Sequence, residues 1–461
     1  LESLTLLSDY QITCLLDYKE NYGKLLTFQE LLSVPGFNNV ILEQLKPFIE
    51  LRTNPESILK IEQKRKVKGY ILSRYSRKFD QAREYLNQNN KSSSTKKYLG
   101  SPDRLYIKTS IAYKNKIQLG LRADKDAGEP FLAKSIPDSL KSKIKPGFDF
   151  YSGYIAVKDI SFIKRIVIGD FHVQTGQGLT IWTSNQWNSP TVPSKITFRG
   201  RGIKPVSSSD ENRFMRGLGL CLEFSRWEFI AFYSRLNRDA NVKINESNES
   251  LKISSLQQSG YHRTINEILD RKAIKLINWG TYIRYSGKSF KTGFSFIHTS
   301  LSMDFHKPYK PYNQFHWRGK KMVHAGIDWL IQPLNNLIVS GEYSQMDMQK
   351  WSFANNLVLY YPNVELALHF HKFSRGFDHL LNAPYRISSS GSEWGVFAGL
   401  LINFHADWTL NAQADLAKHP WLRYGIDGPS RSMRYRLSIA HELNAFANFK
   451  AILRYISNQK N

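Results

Sequence analysis

One stretch of the sequence, residues 175–217, combines glycine, proline and charged side chains of both signs in a single excursion. Glycine and proline in this stretch permit tight backbone turns, and charge-dense loops inside pores set selectivity. The pattern therefore favours a loop that enters a lumen as a plug or constriction and is held there by paired charges. A solvated surface loop is the alternative. The charged residues concerned are Arg199, Arg201, Lys204, Asp210, Glu211, Arg213 and Arg216.

A second set of basic residues falls in segments where polar and apolar side chains alternate. Successive side chains of a strand point to opposite faces, so these cations would share the polar face. The formal net charge of +25 favours a polyanionic partner, such as nucleic acid, lipopolysaccharide or an anionic lipid surface. The sequence predicts a cationic interior track formed by Arg122, Arg434, Arg436, Lys450 and Arg454.

Evidence for enzyme chemistry is weak. His369 and His371 would share one strand face and could bind a metal, but Glu365 lies on the same face, and lumen lining is the simpler interpretation. No G-x-S-x-G, Walker A or HExxH motif occurs. Two cysteines, Cys14 and Cys221, exclude a disulfide framework and a cysteine-based zinc site. We predict no catalytic residues, no metal and no cofactor.

From Lys68 onwards the alternation of polar and apolar residues predicts β-strands. In "WTLNAQADLA" the residues Trp408, Leu410 and Ala412 oppose Thr409 and Asn411. Many segments reach about 10 residues, longer than the 5–6 residues typical of soluble strands, and aromatic residues near their ends resemble interfacial girdles. A soluble β-sandwich is the alternative.

The fold class predicted is mainly β, a large antiparallel transmembrane β-barrel of about 16–20 strands with a small all-α domain at the N-terminus. About 17 strands can be recognised, although bacterial single-chain barrels usually have an even number. Mean hydropathy is −0.42, and no apolar run is long enough for a transmembrane helix.

The first 60 residues differ in charge from the rest. They contain five basic and eight acidic side chains, a net charge of −3, so the remainder carries +28. Helices are predicted over most of residues 5–52, the second of them over "FQELLSV" after Thr27, and Leu16 and Leu32 are among the apolar residues predicted to face one small core. Thr27 precedes Glu30 by three residues, which is capping-box spacing, and Pro35-Gly36 makes a tight turn.

These residues resemble the helix-hairpin-helix module of ComEA-like DNA-binding proteins, through "LLDYKENYGKLLTFQELLSVPGF" and "LEQLKPFI". The resemblance implies that the hairpin Pro35, Gly36, Phe37 and Asn38 binds a DNA phosphate. In the family the hairpin reads Pro-Gly-hydrophobic-Gly and a basic residue tends to follow. Here Asn38 replaces the second glycine and no lysine follows. A domain that docks on the barrel or on another protein is therefore the alternative.

A longer stretch, "GLTIW…RGRGIKPVSSSDENRFMRG", is similar to helix-hairpin-helix outer-membrane proteins of the Bacteroidetes. This resemblance implies a periplasmic hairpin domain at 1–60 and an outer-membrane barrel at 61–461 with long extracellular loops. The function expected is a channel or receptor involved in DNA uptake. The alternative is a non-enzymatic barrel subunit of an envelope or secretion complex. The expected partners are outer-membrane lipid and lipopolysaccharide, DNA and other envelope subunits.

Overall fold

A computed structural model describes residues 7, 9–22, 25, 27–37, 39–49, 67–80, 82–85, 97–114, 116–132, 136–185, 190–244, 251–387, 391–404, 408–444 and 447–459. Within these ranges there are three α-helices, α1 (Asp9–Tyr22), α2 (Asn39–Leu45) and α3 (Ile265–Leu269). Short 3-10 turns lie at Gln29–Ser33, Lys46–Phe48, Arg83–Tyr85, Asp138–Leu140, Pro193–Ile196 and Pro311–Asn313.

All strands of the described ranges belong to one sheet. They are β1 (Val67–Arg77), β2 (Asp103–Tyr113), β3 (Ile117–Lys125), β4 (Phe150–Ile160), β5 (Ile163–Gln174), β6 (Gly202–Pro205), β7 (Met215–Phe224), β8 (Trp227–Arg238), β9 (Ala240–Ile244), β10 (Leu251–Leu256), β11 (Ile274–Ser286), β12 (Phe290–Phe305), β13 (Gly319–Leu334), β14 (Leu337–Met346), β15 (Lys350–Tyr361), β16 (Val364–Phe373), β17 (Glu393–Phe404), β18 (Trp408–His419), β19 (Ser430–Asn444) and β20 (Ala447–Asn458).

Seventeen of the twenty strands form a continuous antiparallel meander, in the order β1–β5, β7, β8 and β11–β20. The short strand β6 pairs with the end of β5, and the β9–β10 hairpin lies beside the end of β12. No pairing between β1 and β20 occurs in the described part of the chain. The predicted mainly-β class and large antiparallel sheet are confirmed.

The two faces of the sheet have inverted polarity compared with a soluble protein. On one face large apolar side chains are exposed, for example Ile168 at 57% and Ile327 at 51%. On the other face polar side chains such as Ser340, Asn356 and His369 are almost fully buried. An apolar outer band around a polar interior is the arrangement of transmembrane barrels. We call these the outer and the inner face.

The connections at the two ends of the strands differ in length. At one end the turns are short, such as those after β7 and β15, and at the other they are mostly long, at 126–149, 175–214, 239–273 and 374–392. Short turns on one side and long loops on the other are typical of outer-membrane barrels, where the short turns are periplasmic. We call these the short-turn end and the long-loop end. Strand β1 begins at the short-turn end, opposite Tyr113.

The N-terminal helices pack around their own small core, formed by Leu7, Ile12, Leu15, Leu31, Val34, Phe37, Leu42 and Leu45. The predicted capping contact is present, since the backbone N–H of Glu30 donates to Thr27 Oγ1 at 3.3 Å. Two residues predicted to face this core, Leu16 and Leu32, are instead 51% and 41% exposed. The segment predicted as a second helix there is a 3-10 turn, which shifts the positions that face inwards. Among the helices described, none has the length and apolar character needed to cross a membrane.

Candidate lumenal site

Between β5 and β7, the described residues 175–185 and 190–214 leave the wall and cross the interior of the sheet; we call this segment the inner loop. It is anchored on the opposite wall by Glu342 of β14, whose side chain is 1% exposed. The carboxylate accepts backbone N–H bonds from Gln177 at 2.7 Å, Leu179 at 3.0 Å and Thr180 at 2.9 Å. A loop that leaves β5 can reach β14 only because the sheet curls into a barrel.

The glycine at position 176 makes this anchor possible. A Cβ atom there would lie 2.6 Å from Glu342 Oε2, closer than side-chain carbons approach oxygen, and the backbone φ is +52°. Glycine removes both obstacles and lets the carboxylate approach the loop backbone.

Amides on the inner face hold the rest of the inner loop. Gln177 exchanges two hydrogen bonds with the backbone of Phe198, and its Oε1 also accepts from Asn356 Nδ2 of β15 at 2.9 Å. Further along, Asn411 of β18 donates to the carbonyl of Thr191 at 2.7 Å. Sequence inspection missed these anchors, because Glu342, Asn356 and Asn411 look like ordinary inward residues of alternating strands.

The charged residues predicted for this loop are held mainly by neutral partners. Asp210 accepts from Asn185 Nδ2 and from the backbone of Asn212 and Arg213, while Arg213 donates to the carbonyl of Asn382 at 2.7 Å. Arg201 Nε donates a hydrogen bond to Gln174 Oε1 at 3.3 Å, and Lys204 lies in β6 opposite His172. Arg199 and Glu211 are half-buried. Within the described ranges, Arg201, Lys204, Asp210, Glu211 and Arg213 form no ion pair with one another, so the predicted charge pairing of this group is not what anchors the loop.

Arg216 must be reassigned, because the predicted loop range ends inside a strand. Residues 215–217 belong to β7. Arg216 shares a strand face with Leu218, which is 49% exposed and points outwards. Its guanidinium holds Asp170 of β5 through bonds of 2.6 and 2.8 Å. Arg216 therefore ties two neighbouring strands together near the long-loop end.

The inner face carries a group of cations at the two ends of the meander, which we call the basic arc. The strand registers place all of these side chains on the inner face, including every member of the predicted interior track. Arg436 lies directly opposite Arg454. Arg122 is 7% exposed, and its Nε and Nη2 have no hydrogen-bond partner among the described residues. The arc consists of Lys68 and Arg74 of β1, Lys108 of β2, Arg122 of β3, Arg434 and Arg436 of β19, and Lys450 and Arg454 of β20.

The inner-face carboxylates lie on the middle strands and are engaged by protein groups. Glu228 pairs with Lys164 and Arg284, Glu342 holds the inner loop, and Asp415 accepts from Tyr385 at 2.6 Å. Arg104, in contrast, pairs with Asp124 at the loop end of the basic side. The hydrogen bonds that the arc donates to described residues go instead to neutral groups, such as the one from Lys108 Nζ to the Ser207 carbonyl and the one from Arg434 to the Ile387 carbonyl. Because these partners leave the cationic charge uncompensated, the charge offered to a solute in the lumen is positive.

The two histidines considered as metal ligands form a hydrogen-bonded chain along the inner face. Asn356 Oδ1 lies 2.6 Å from His369 Nδ1, His369 Nε2 lies 3.0 Å from His371 Nδ1, and His371 Nε2 lies 2.9 Å from Glu393. All four side chains are at most 3% exposed. Each ring nitrogen of His369 and His371 already has a protein partner, so these residues form a buried network whose hydrogen bonds are satisfied. Glu365, predicted to share this face, lies opposite Tyr360 on it.

At the long-loop end, His262 joins three connections between strands. Its Nδ1 contacts Asp149 and its Nε2 lies 2.8 Å from Asp239, while its backbone N–H donates to Glu129 at 3.0 Å. Ligand atoms of Glu129, Asp149 and His262 lie within 4.8 Å of one another. Both imidazole nitrogens are committed to carboxylates, however, so the arrangement is an ion-pair junction. We call these four residues the loop junction.

The loop junction has shifted protonation equilibria. Burial alone lowers the pKa of His262, but the hydrogen bonds that its ring nitrogens donate to Asp149 and Asp239 outweigh burial and raise the pKa to about 10. Burial, together with the nearby Asp149, raises the pKa of Glu129 to about 7. Burial and the neighbouring carboxylates Glu129 and Asp149 raise the pKa of Glu211 to about 9.

We expect the loop junction to open at high pH. The folded-state pKa of His262 lies above its usual value, so its stabilisation is complete below about pH 6.5 and is lost as the pH rises through about 10. The protection factors of residues 126–132, 136–149 and 257–270, which are exchange rates corrected for the base-catalysed intrinsic rate at each pH, should stay high near neutral pH and fall towards pH 10. His262→Gln should give fast exchange at every pH, because breaking a buried pair costs about 3–5 kcal/mol. His306→Gln, a loop histidine without such a carboxylate pair, is the control; equal effects of both variants would contradict the junction.

The hairpin predicted to bind DNA uses its backbone groups internally. The N–H of Phe37 donates to the carbonyl of Val34 at 3.1 Å, and the Gly36 carbonyl accepts from Gln11 Nε2 at 2.6 Å. The Phe37 side chain is 8% exposed and belongs to the helical core. Pro35 is exposed, and Asn38 lies outside the described residues. The geometry leaves no free Phe37 N–H for a phosphate, while DNA binding by this hairpin stays a prediction to be tested.

We expect Gly36→Ala to leave the binding of duplex DNA by the full chain unchanged, because the adjacent N–H is already bonded. Gly36 has a φ of +85°, so alanine strains the turn, and the comparison requires that hydrogen exchange of α1 stays as slow as in the unchanged chain. Fluorescence anisotropy with a salt titration measures this, and any binding by the basic remainder should weaken with salt. The double variant Asn38→Gly/Val40→Lys restores the family pattern and is the positive control. Selective loss of binding in Gly36→Ala would instead establish the hairpin as a phosphate clamp.

The helical unit touches the barrel near its short-turn end. Cys14 of α1 packs against the helical core and also against an inner-face cluster that includes Ile196, Ile338 and Val358. Ile338 and Val358 pair with each other beside the short turns after β13 and β15. This contact joins the helical unit, the inner loop and the wall.

Taken together, the strand order, the inverted polarity and the unequal ends define the fold of an outer-membrane β-barrel. Among solved structures, the chain is similar to Wzi of Escherichia coli, described as an outer membrane protein involved in group 1 capsule assembly and a carbohydrate-binding β-barrel. The identity is 12% over 98% of this chain and 89% of that chain, with a TM-score of 0.41.

Two further similar structures are OpdQ of Pseudomonas aeruginosa, at 12% identity over 78% of this chain and 88% of that chain with a TM-score of 0.38, and OccAB3 of Acinetobacter baumannii, at 11% over 78% and 87% with a TM-score of 0.36. Resemblances this distant say nothing about what this chain transports or binds. No protein-family model matches the chain. No curated protein matches it either.

Proposed function

We propose that this protein is an outer-membrane channel for anionic solutes, with the inner loop as a plug in its lumen. The observation that carries the proposal is the basic arc, whose cations face the interior while the inner-face carboxylates are bonded to protein groups. Rings of cationic side chains favour anions in pores. No step of catalysis is needed for this function.

The lengths of the connections support the orientation that we propose for the barrel. With the short turns in the periplasm, the helical unit that contacts the barrel through Cys14 is also periplasmic. The exposed apolar side chains of the outer face contact membrane lipid, and lipopolysaccharide surrounds the long-loop end. DNA is a polyanion and belongs to the charge class that the arc favours.

A non-enzymatic subunit of an envelope complex is the second candidate. It is favoured by the acidic helical unit, whose net charge differs in sign from that of the barrel and which would recruit a partner on the periplasmic side. Co-purification of the full chain with envelope proteins, lost on deleting residues 1–60, would favour this candidate over a channel that works alone.

The test of the channel is reconstitution of the full chain in a planar bilayer. We expect a low conductance with the inner loop in place, and a reversal potential in a potassium chloride gradient that indicates preference for chloride. Preference for potassium, or absence of conductance even after the inner loop is released, would overturn the proposal.

A further inference from the structure

Three long loops meet at the long-loop end in a group of aromatic side chains around one arginine, which we call the aromatic shelf. It lies beyond the strand ends of β12, β16 and β18 and shares no residue with the basic arc or the loop junction. Its members are Tyr309, Tyr312 and Phe315 of the loop 306–318, Arg375 of the loop 374–392, and Trp421 and Tyr424 of the loop 420–429.

Several contacts fix the loops of the shelf against one another. The rings of Phe315 and Trp421 are 4.9 Å apart, those of Tyr312 and Tyr424 are 5.6 Å apart, and Trp421 Nε1 donates to the carbonyl of Pro311 at 3.0 Å. At position 376 a Cβ atom would lie 2.3 Å from the Phe315 carbonyl oxygen, so only glycine allows this approach of the two loops. The shelf is therefore organised before any ligand arrives.

The shelf is nevertheless open to solvent. Tyr424 is 85% exposed and Tyr309 is 68% exposed. The guanidinium of Arg375 lies 5.0 Å from the ring of Trp421 and 5.5 Å from that of Phe315, and this side chain is exposed. A preorganised cluster of exposed aromatic groups marks a binding site more often than a bare surface does.

We propose that the aromatic shelf binds an acidic polysaccharide, a chain of sugars that carry carboxylates. The faces and hydroxyls of the exposed tyrosines suit sugar rings, whose polarised C–H groups meet the negative ring face and whose hydroxyls hydrogen-bond. Arg375 supplies a planar, pre-positioned partner for a carboxylate. On the three loops the cations Lys307, Lys310, Arg318, Arg375, Arg386 and Arg423 outnumber the acidic residues Asp378 and Asp427.

The ring geometry argues against single-stranded nucleic acid as the occupant. Successive bases need ring faces on which to stack, whereas the two ring pairs of the shelf are inclined at 86° and 73°. Arg375 also covers one face of Trp421 and lies against Phe315. A sugar ring needs only one open ring face and a nearby hydroxyl, which a single exposed tyrosine such as Tyr424 offers without a parallel neighbour.

The experiment is isothermal titration of the full chain in detergent with oligogalacturonate, and with a neutral malto-oligosaccharide of equal length. We expect the acidic oligosaccharide to bind at least about tenfold more tightly, the size of one good charge-assisted contact. Arg375→Gln should remove this preference, Arg375→Lys should retain part of it, and Tyr424→Ala should weaken binding of both sugars.

The control variant is Tyr361→Ala, which removes a tyrosine that is 54% exposed at the short-turn end and should not change binding. Tyr424 is a surface residue, so its variant is expected to fold. Absence of oligogalacturonate binding, equal affinity for both sugars, or binding unchanged by Arg375→Gln would overturn the proposal. So would binding of an oligothymidylate in preference to both sugars. The channel proposal is unaffected by any of these results, because it concerns the lumen.

Discussion

Replacing Glu342 with alanine is expected to release the inner loop and raise the conductance of the channel. The Glu342 carboxylate is the acceptor of three backbone N–H bonds from that loop. At about 1.5 kcal/mol for each bond to a charged group, their loss shifts the docking equilibrium of the loop by about three powers of ten. The freed N–H groups would be unsatisfied in the lumen, but water satisfies them once the loop has moved out.

Planar-bilayer recording and protease cleavage within residues 175–214 measure the same event independently. Glu342→Gln should have an intermediate effect, since the amide keeps one acceptor oxygen and presents a donor to the loop N–H groups. The control is Glu228→Gln, which removes a buried inner-face carboxylate whose partners are the side chains of Lys164 and Arg284. If Glu228→Gln opened the channel as much as Glu342→Ala, the specific anchoring role of Glu342 would be wrong.

The anchor shows why part of the site cannot be predicted from sequence. The alternation of "IVSGEYSQM" places Glu342 on the same face as Ser340 and Ser344, and that much follows from the period of a strand. Its partners lie 162 to 165 positions earlier in the chain. Only the curl of the sheet and the path of the inner loop bring them together, and neither leaves a local pattern in the sequence.

Local periodicity predicts the strands of the barrel wall better than it predicts the anchors of the inner loop. In "RYRLSIAHEL" the alternation predicts that Arg434 and Arg436 face one side of the strand and that Tyr435 and Leu437 face the other. The structure has the same arrangement, because it depends only on neighbouring residues. The residues at which strands begin and end are harder to predict. Arg216 was assigned to the loop because glycines 217 and 219 hide the beginning of β7 in "MRGLGLCLEF". In the helical unit, Leu16 and Leu32 were assigned to the core on apolar character alone, although packing of short helical turns leaves them exposed.

Charge reversal in the basic arc is expected to change the ion selectivity of the channel. Arg436 and Arg454 lie opposite each other on the inner face of β19 and β20, so Arg436→Glu/Arg454→Glu turns two adjacent cations into two anions. Two unit charges about 4 Å apart interact by about 1 kcal/mol even in water. A change of four charge units beside the ion path should therefore alter the chloride-to-potassium permeability ratio by at least about tenfold.

The reversal potential in a potassium chloride gradient reports this ratio, recorded both in the otherwise unchanged chain and together with Glu342→Ala, so that a plugged lumen does not hide the effect. Lys141→Glu/Lys145→Glu is the matched control, with the same change in net charge on exposed residues of the loop between β3 and β4. A shift confined to the arc variant means that permeating ions pass β19 and β20. An equal shift in both variants would mean that overall charge at the mouth sets selectivity, and an unchanged potential in both would place the ion path elsewhere.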